Sequence, residues 1–191
     1  MPAYRRRLLL AAALALPAAC TRSPDPGPIE APPVTPLQLT ISNLEVVDQV
    51  QSLPLNFIDR RRTDEMLAAT RIYLTQRLHA GGGSEFGRAV IEEASMVEQA
   101  IPRGGITGAI TGPTRELVGS LAVRVAIVDG LGIETAYARA KVERKRPVRD
   151  ASSVMERDRL ARDLVNELLK GLDASLQSAV KENLGTYLAT S

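Results

Sequence analysis

Aromatic residues make up only 3% of the 191 positions, and tryptophan is absent. So few rings exclude a stacking platform for sugars or single-stranded nucleic acid. They also leave Ala, Leu and Val to fill whatever core the 45% hydrophobic content builds. A single cysteine, Cys20, excludes an intrachain disulfide, so stability must come from packing. The only histidine, His79, precedes Gly81, Gly82 and Gly83 and reads as a solvent-facing or C-capping residue at a helix end. One histidine and one cysteine supply neither a Ser-His-Asp arrangement nor a zinc site of the usual ligands. Adjacent Glu92 and Glu93 would face opposite sides of a strand, which separates them as a catalytic pair. No enzyme chemistry, cofactor or metal is therefore expected.

A surplus of either charge is also missing. The whole chain has 24 Lys+Arg against 22 Asp+Glu, but residues 1–19 hold three arginines and no acid, leaving 21 against 22 in the remainder. That balance is no electrostatic footprint for DNA or RNA.

Nor is there a long apolar run. Leu8 to Leu16 is too short for a bilayer-spanning helix, which needs about 20 apolar residues. Preceded by Arg5, Arg6 and Arg7 and followed by Pro17, Ala18 and Ala19, it reads as a secretory signal over residues 1–19. Leu16-Pro17-Ala18-Ala19-Cys20 resembles the lipobox of bacterial lipoproteins, in which the cysteine is acylated and becomes the mature N-terminus. It departs from that pattern in placing Leu16 four residues before the cysteine, with Pro17 between. The alternative is an ordinary cleaved signal that leaves a free thiol. Thr21 stands where an aspartate would, by the same resemblance, imply inner-membrane retention, so the resemblance implies the outer membrane.

Thr21 to Pro36 contains six prolines and little to bury. Residues 20–36 thus read as a lipidated cysteine and an extended tether, with a reach of about 50 Å at about 3.1 Å per residue. The folded domain is expected over residues 37–188. Leu37, Leu39 and Ile41 alternate with polar residues as a half-buried strand does, and Leu44 to Val50 either continues it after a bulge or pairs separately. A helix is expected from Thr63, as cap, to Ala80, with Leu67, Leu74 and Leu78 in its apolar stripe. Arg60, Arg61 and Arg62 before it read as a solvated loop. Residues 86–100 read as a bulged strand, and the glycines from Pro102 to Arg115 as a long hairpin connection that lacks the Gly-Lys-Ser/Thr ending of a phosphate loop.

The clearest strand pair follows. Leu117, Gly119, Leu121, Val123, Val125 and Ile127 share one face, and Asp129-Gly130-Leu131-Gly132 supplies the turn. On the return, Ala136, Ala138, Ala140 and Val142 form a covered face small enough for a helix to approach. The other face carries Tyr137, Arg139 and Lys141. Ser153 with Glu156 then makes a capping box for a long helix with Leu160, Leu164, Leu168, Leu172, Leu176, Val180 and Leu184 at four-residue steps. At roughly 48 Å it exceeds what a small sheet covers, which favours a helix bent around the sheet, or broken at Gly171, over a projecting end.

Strand, helix, three strands, helix defines an α+β fold: a two-layer sandwich of a mainly antiparallel sheet of about four strands, covered on one face by two helices. The lipobox, the tether and this order, with Arg139 to Arg149 leading into a Leu-rich helix, resemble a family of alphaproteobacterial envelope lipoproteins. More distantly, the order is similar to LPS-assembly lipoproteins and to auxiliary lipoproteins of ABC-type transport systems. In the LPS-assembly family the first strand starts almost at the cysteine, whereas a tether intervenes here. The resemblance implies a non-enzymatic helper held by lipid on Cys20 at the periplasmic face of the outer membrane, contacting an envelope partner. Arg124, Arg139 and Lys141 on the polar sheet face, with the loop at 102–115, are the candidate contacts for that partner or for anionic headgroups. A structural or regulatory lipoprotein that reaches toward the cell wall is the alternative. The oligomeric state is left open by the sequence.

Overall fold

A computed structural model describes residues 29, 33–51, 54–101 and 115–189. The signal, Cys20 and the loop 102–114 lie outside the described residues. The elements in order are β1 (Leu37–Leu39), β2 (Asn43–Asp48), α1 (Phe57–Arg77), β3 (Leu78–Ala80), β4 (Phe86–Ala100), β5 (Arg115–Val128), β6 (Glu134–Val148) and α2 (Val154–Asn183), followed by a 3₁₀ turn at Gly185–Tyr187.

The fold is α+β. Four strands form one sheet in the order β2-β4-β5-β6, and β1 pairs with β3 in a small parallel pair. The Leu44–Val50 stretch thus pairs separately from the first strand. β2 runs parallel to β4, while β4, β5 and β6 form an antiparallel meander. Both helices lie on the face that carries Leu117, Leu121, Val123, Val125 and Ile127, with Ala138 and Ala140 fully enclosed beneath α2. The small β6 side chains let the helix come close, as their spacing suggests.

The expected first helix is corrected at both ends. It starts at Phe57, because Asn56 caps it: Asn56 Oδ1 accepts from the Asp59 amide at 2.9 Å, and Asn56 Nδ2 donates to Asp59 Oδ2 at 2.7 Å. Arg60, Arg61 and Arg62 are therefore helical, and Arg62 is only 4% exposed. Thr63 does not cap; its hydroxyl accepts from the Met96 amide at 3.0 Å and so joins α1 to β4. The helix ends at Arg77, and His79 stands exposed on β3, paired in register with Gln38 of β1.

The second helix has the capping box at Ser153 and Glu156. Its 30 residues give about 45 Å, and the 15 residues of β6 span about 50 Å, so the helix has a strand of matching length beneath it. The length mismatch anticipated from a small sheet does not arise, because the strands are long. Gly171 does not break α2. A Cβ there would lie 3.0 Å from Val142 Cγ2, tighter than ordinary van der Waals contact, so glycine suits the close approach of helix to strand. Part of the expected tether also packs: Ile29 and Val34 lie against the core.

Candidate functional site

The sheet's second face carries no helix among the described residues. Its side chains fall into rows set by the strand register. From the β5–β6 turn inward, the rows are Phe86, Val128 and Glu134; then Arg88, Ala126 and Tyr137; then Val90, Arg124 and Arg139; then Glu93, Ala122 and Lys141. The three cations singled out in the sequence thus come together in adjacent rows.

Each of them is also neutralised. Arg139 Nε donates to Glu92 Oε2 and Lys141 Nζ to Glu93 Oε2, both at 2.7 Å. Arg124 pairs with Glu134 and lies 4.5 Å over the Tyr137 ring, a cation–π contact. The Glu92–Arg139 and Glu93–Lys141 pairings reach between β4 and β6 across β5, whose small residues leave room: Ala122 is fully buried on a face that carries no helix among the described residues. The ion pairs themselves roof the middle strand.

The register shifts between Ile91 and Glu93 at a β-bulge. The bulge overturns the expectation that Glu92 and Glu93 face opposite sides. An extra residue in one strand breaks the two-residue alternation, and both carboxylates reach cations on the open face. Partial burial pushes the Glu93 carboxyl up, but Lys141, the Ser120 hydroxyl at 2.6 Å and Arg139 outweigh it and hold it below its ordinary value.

A second charged cluster lies at the far end of the sheet, where β4 ends and β5 begins. Glu98 is approached by Arg157 at 2.9 Å, Arg115 at 3.0 Å and Arg62 at 3.5 Å. Asp158 takes Arg61 at 2.9 Å and Arg62 at 3.3 Å. Burial raises the Asp158 carboxyl, yet the two guanidinium groups bring it below its usual range. This cluster ties the first turns of both helices to the sheet. Reading Arg60–Arg62 as a loop hid it, and the signal that identifies it is the Asn56-x-x-Asp59 cap. A third polar link joins the helices, with the buried Tyr73 hydroxyl donating to Asp173 Oδ1 at 2.9 Å. Arg77 Nε lies 2.8 Å from the same oxygen without the alignment of a hydrogen bond. Burial and the Asp173 charge push the Tyr73 hydroxyl well up.

Among the described residues no cluster of three or more His, Cys, Asp or Glu side chains could hold a metal, and no helix is long and apolar enough to cross a membrane.

Neither a known protein family nor any curated protein sequence matches the chain. Among solved structures it is similar to a minor lipoprotein of Acinetobacter baumannii, at 13% identity and a TM-score of 0.39 over 80% of this chain and 99% of that one. It is also similar to rare lipoprotein B of Shewanella oneidensis, at 13% identity and a TM-score of 0.38 over 74% and 96%. A lipoprotein B of Nitrosomonas europaea gives 13% identity and a TM-score of 0.37 over 76% and 86%.

Proposed function

We propose that this chain is a non-enzymatic lipoprotein, anchored through Cys20 at the periplasmic face of the outer membrane, that assists envelope lipid or LPS transport or assembly through its helix-free sheet face. The observation that supports the reading is the open face of β4, β5 and β6, which carries no helix among the described residues and offers a broad contact surface of paired charges. Arg124, Arg139 and Lys141 are its proposed contact residues for an envelope protein or a lipid headgroup.

The alternative, a regulator that reaches to the cell wall, needs length. Ile29 already touches the domain, so the nine-residue step from Cys20 to it can reach at most about 30 Å. That geometry favours action close to the membrane.

The test is charge reversal in the full lipidated chain, with Arg139→Glu and Lys141→Glu together. Loss of outer-membrane lipid asymmetry and of the co-purified envelope partner is expected. The exchange Glu92→Arg with Arg139→Glu keeps an ion pair and separates the site from the fold. Unchanged lipid content and pull-down in the reversal variant refute the site.

A further inference from the structure

The end of the sheet at the β5–β6 turn is apolar where a polar turn would be free of cost. Leu131 is 85% exposed, Ile133 60% and Phe86 48%. The turn backbone is fixed: Asp129 Oδ1 accepts from the Leu131 and Ile133 amides, each at 2.9 Å, and the Gly132 amide donates to the Asp129 carbonyl at 3.0 Å. Three successive backbone N–H groups are thus satisfied inside the turn, which removes a main penalty for taking it out of water. Phe86, Val128 and the turn border one cleft of about 450 Å³, so the strand and the turn share a surface.

Behind this tip the character changes row by row. Arg88 and Tyr137 stand about 7 Å inward of Phe86, and Arg124 with Arg139 about 14 Å inward. The tip row also holds Glu134, which pairs back to Arg124, and the turn holds Asp129, whose Oδ1 takes two amides, so exposed apolar side chains give way to an aromatic and charged belt, the order of environments a bilayer surface presents. The belt has no net charge, since Arg88, Arg124, Arg139 and Lys141 face Glu45, Glu134, Glu92 and Glu93.

The segment that leads from β1 into β2 lies at this same end. Ser42 donates its amide to the Glu85 carbonyl at 2.8 Å, and Asn43, which follows it, lines the cleft beside Phe86. The opposite end also exposes Phe57, Ile58, Val154 and Met155, but these lie by the strand ends that lead into residues 102–114, outside the described residues.

We propose that the β5–β6 turn is a membrane-contact site: Leu131, Ile133 and Phe86 enter the acyl boundary, and the paired charges of the next rows lie among the headgroups. The contact orients the domain with its sheet upright on the bilayer. The inference rests on acylation of Cys20. Because the belt is neutral, the contact needs no anionic lipid and resists salt.

The full chain tests this directly, since acylation of Cys20 leaves an introduced thiol unique. Leu131→Cys and Ile133→Cys, each carrying an environment-sensitive fluorophore, are reconstituted in phosphatidylethanolamine/phosphatidylglycerol vesicles, with Ala151→Cys as the opposite-end probe. Blue-shifted emission and several-fold quenching by acyl-chain nitroxide lipids are expected at 131 and 133, with a water-exposed probe at 151. The result should hold when phosphatidylglycerol is reduced and in high salt. Water-exposed probes at 131 and 133 in an acylated chain overturn the inference alone, as does shielding that appears only when an envelope protein is added. Shielding that vanishes in salt overturns the neutral belt. A Cys20 that takes up no palmitate analogue overturns both the anchor and the inference.

Discussion

Glu98 sits where three guanidinium groups converge, two of them from helices and one from the next strand. Its side chain is almost enclosed, and so is that of Arg62. Removing that carboxylate leaves the buried Arg62 with Asp158 as its remaining close partner, so the cost sits at the low end of the about 3–5 kcal/mol for breaking a buried pair, whereas an exposed pair contributes about 0–1. Glu98→Ala is therefore expected to lower unfolding free energy by about 3 kcal/mol in urea denaturation, and Glu92→Ala by less than about 1. Acid should act at two other carboxylates, Asp158 and Glu93. Asp158 and Glu93 hold their protons less tightly folded than unfolded, so their contribution is complete above the ordinary carboxylate range, near pH 4, and disappears as pH falls through the lowered folded values. Melting temperature should drop on acidification below about pH 4, and Asp158→Asn should flatten part of that drop.

At the scale of elements, the long helix and its strand were largely legible. The capping box at Ser153, the four-residue leucine steps and the alanines of β6 are local patterns, and each is present in the fold. The first helix was not legible at its start, because Asn56 follows a stretch around Pro54 with no apolar period to announce a helix. The parallel pairing of β2 with β4 was invisible for a different reason: it joins segments on either side of α1, and alternation says which face is buried but not which strand is the neighbour. A bulge was expected somewhere within residues 86–100, but alternation does not say where it falls, and one inserted residue changes the face of everything after it. A break at Gly171 was one of the alternatives for the long helix, and the residue is instead a contact point within a continuous helix. Gly171→Val should destabilise by about 1–3 kcal/mol through the clash with Val142. Gly171→Ala should be near neutral, as better helix propensity, worth about 1 kcal/mol, offsets the tight contact. Thermal unfolding of the two variants distinguishes packing from propensity.

For the whole molecule, the two-layer architecture followed from the sequence because two amphipathic helices and one apolar sheet face must bury each other. The candidate contact face was legible as a polar alternation in β6. That its cations would be neutralised was not, because their carboxylates come from β4, nearly fifty residues away in sequence. The strand order has a further consequence, for the order in which the molecule opens. Residues 86–184 contain the meander and the helix that covers it, so they form one contiguous, mutually supporting unit. The six residues of β2 attach to that unit by a parallel edge pairing, with β1, α1 and β3 in the same N-terminal stretch. Amide exchange should therefore proceed first at β2 and last at central β5, with Val46 and Val47 released while Val123 and Val125 remain protected. The stretch that leads to the tether is then also the one most readily loosened, so a pull on the anchor would peel away β2 and the rest of the N-terminal stretch before it disturbed the β4–β5–β6 meander.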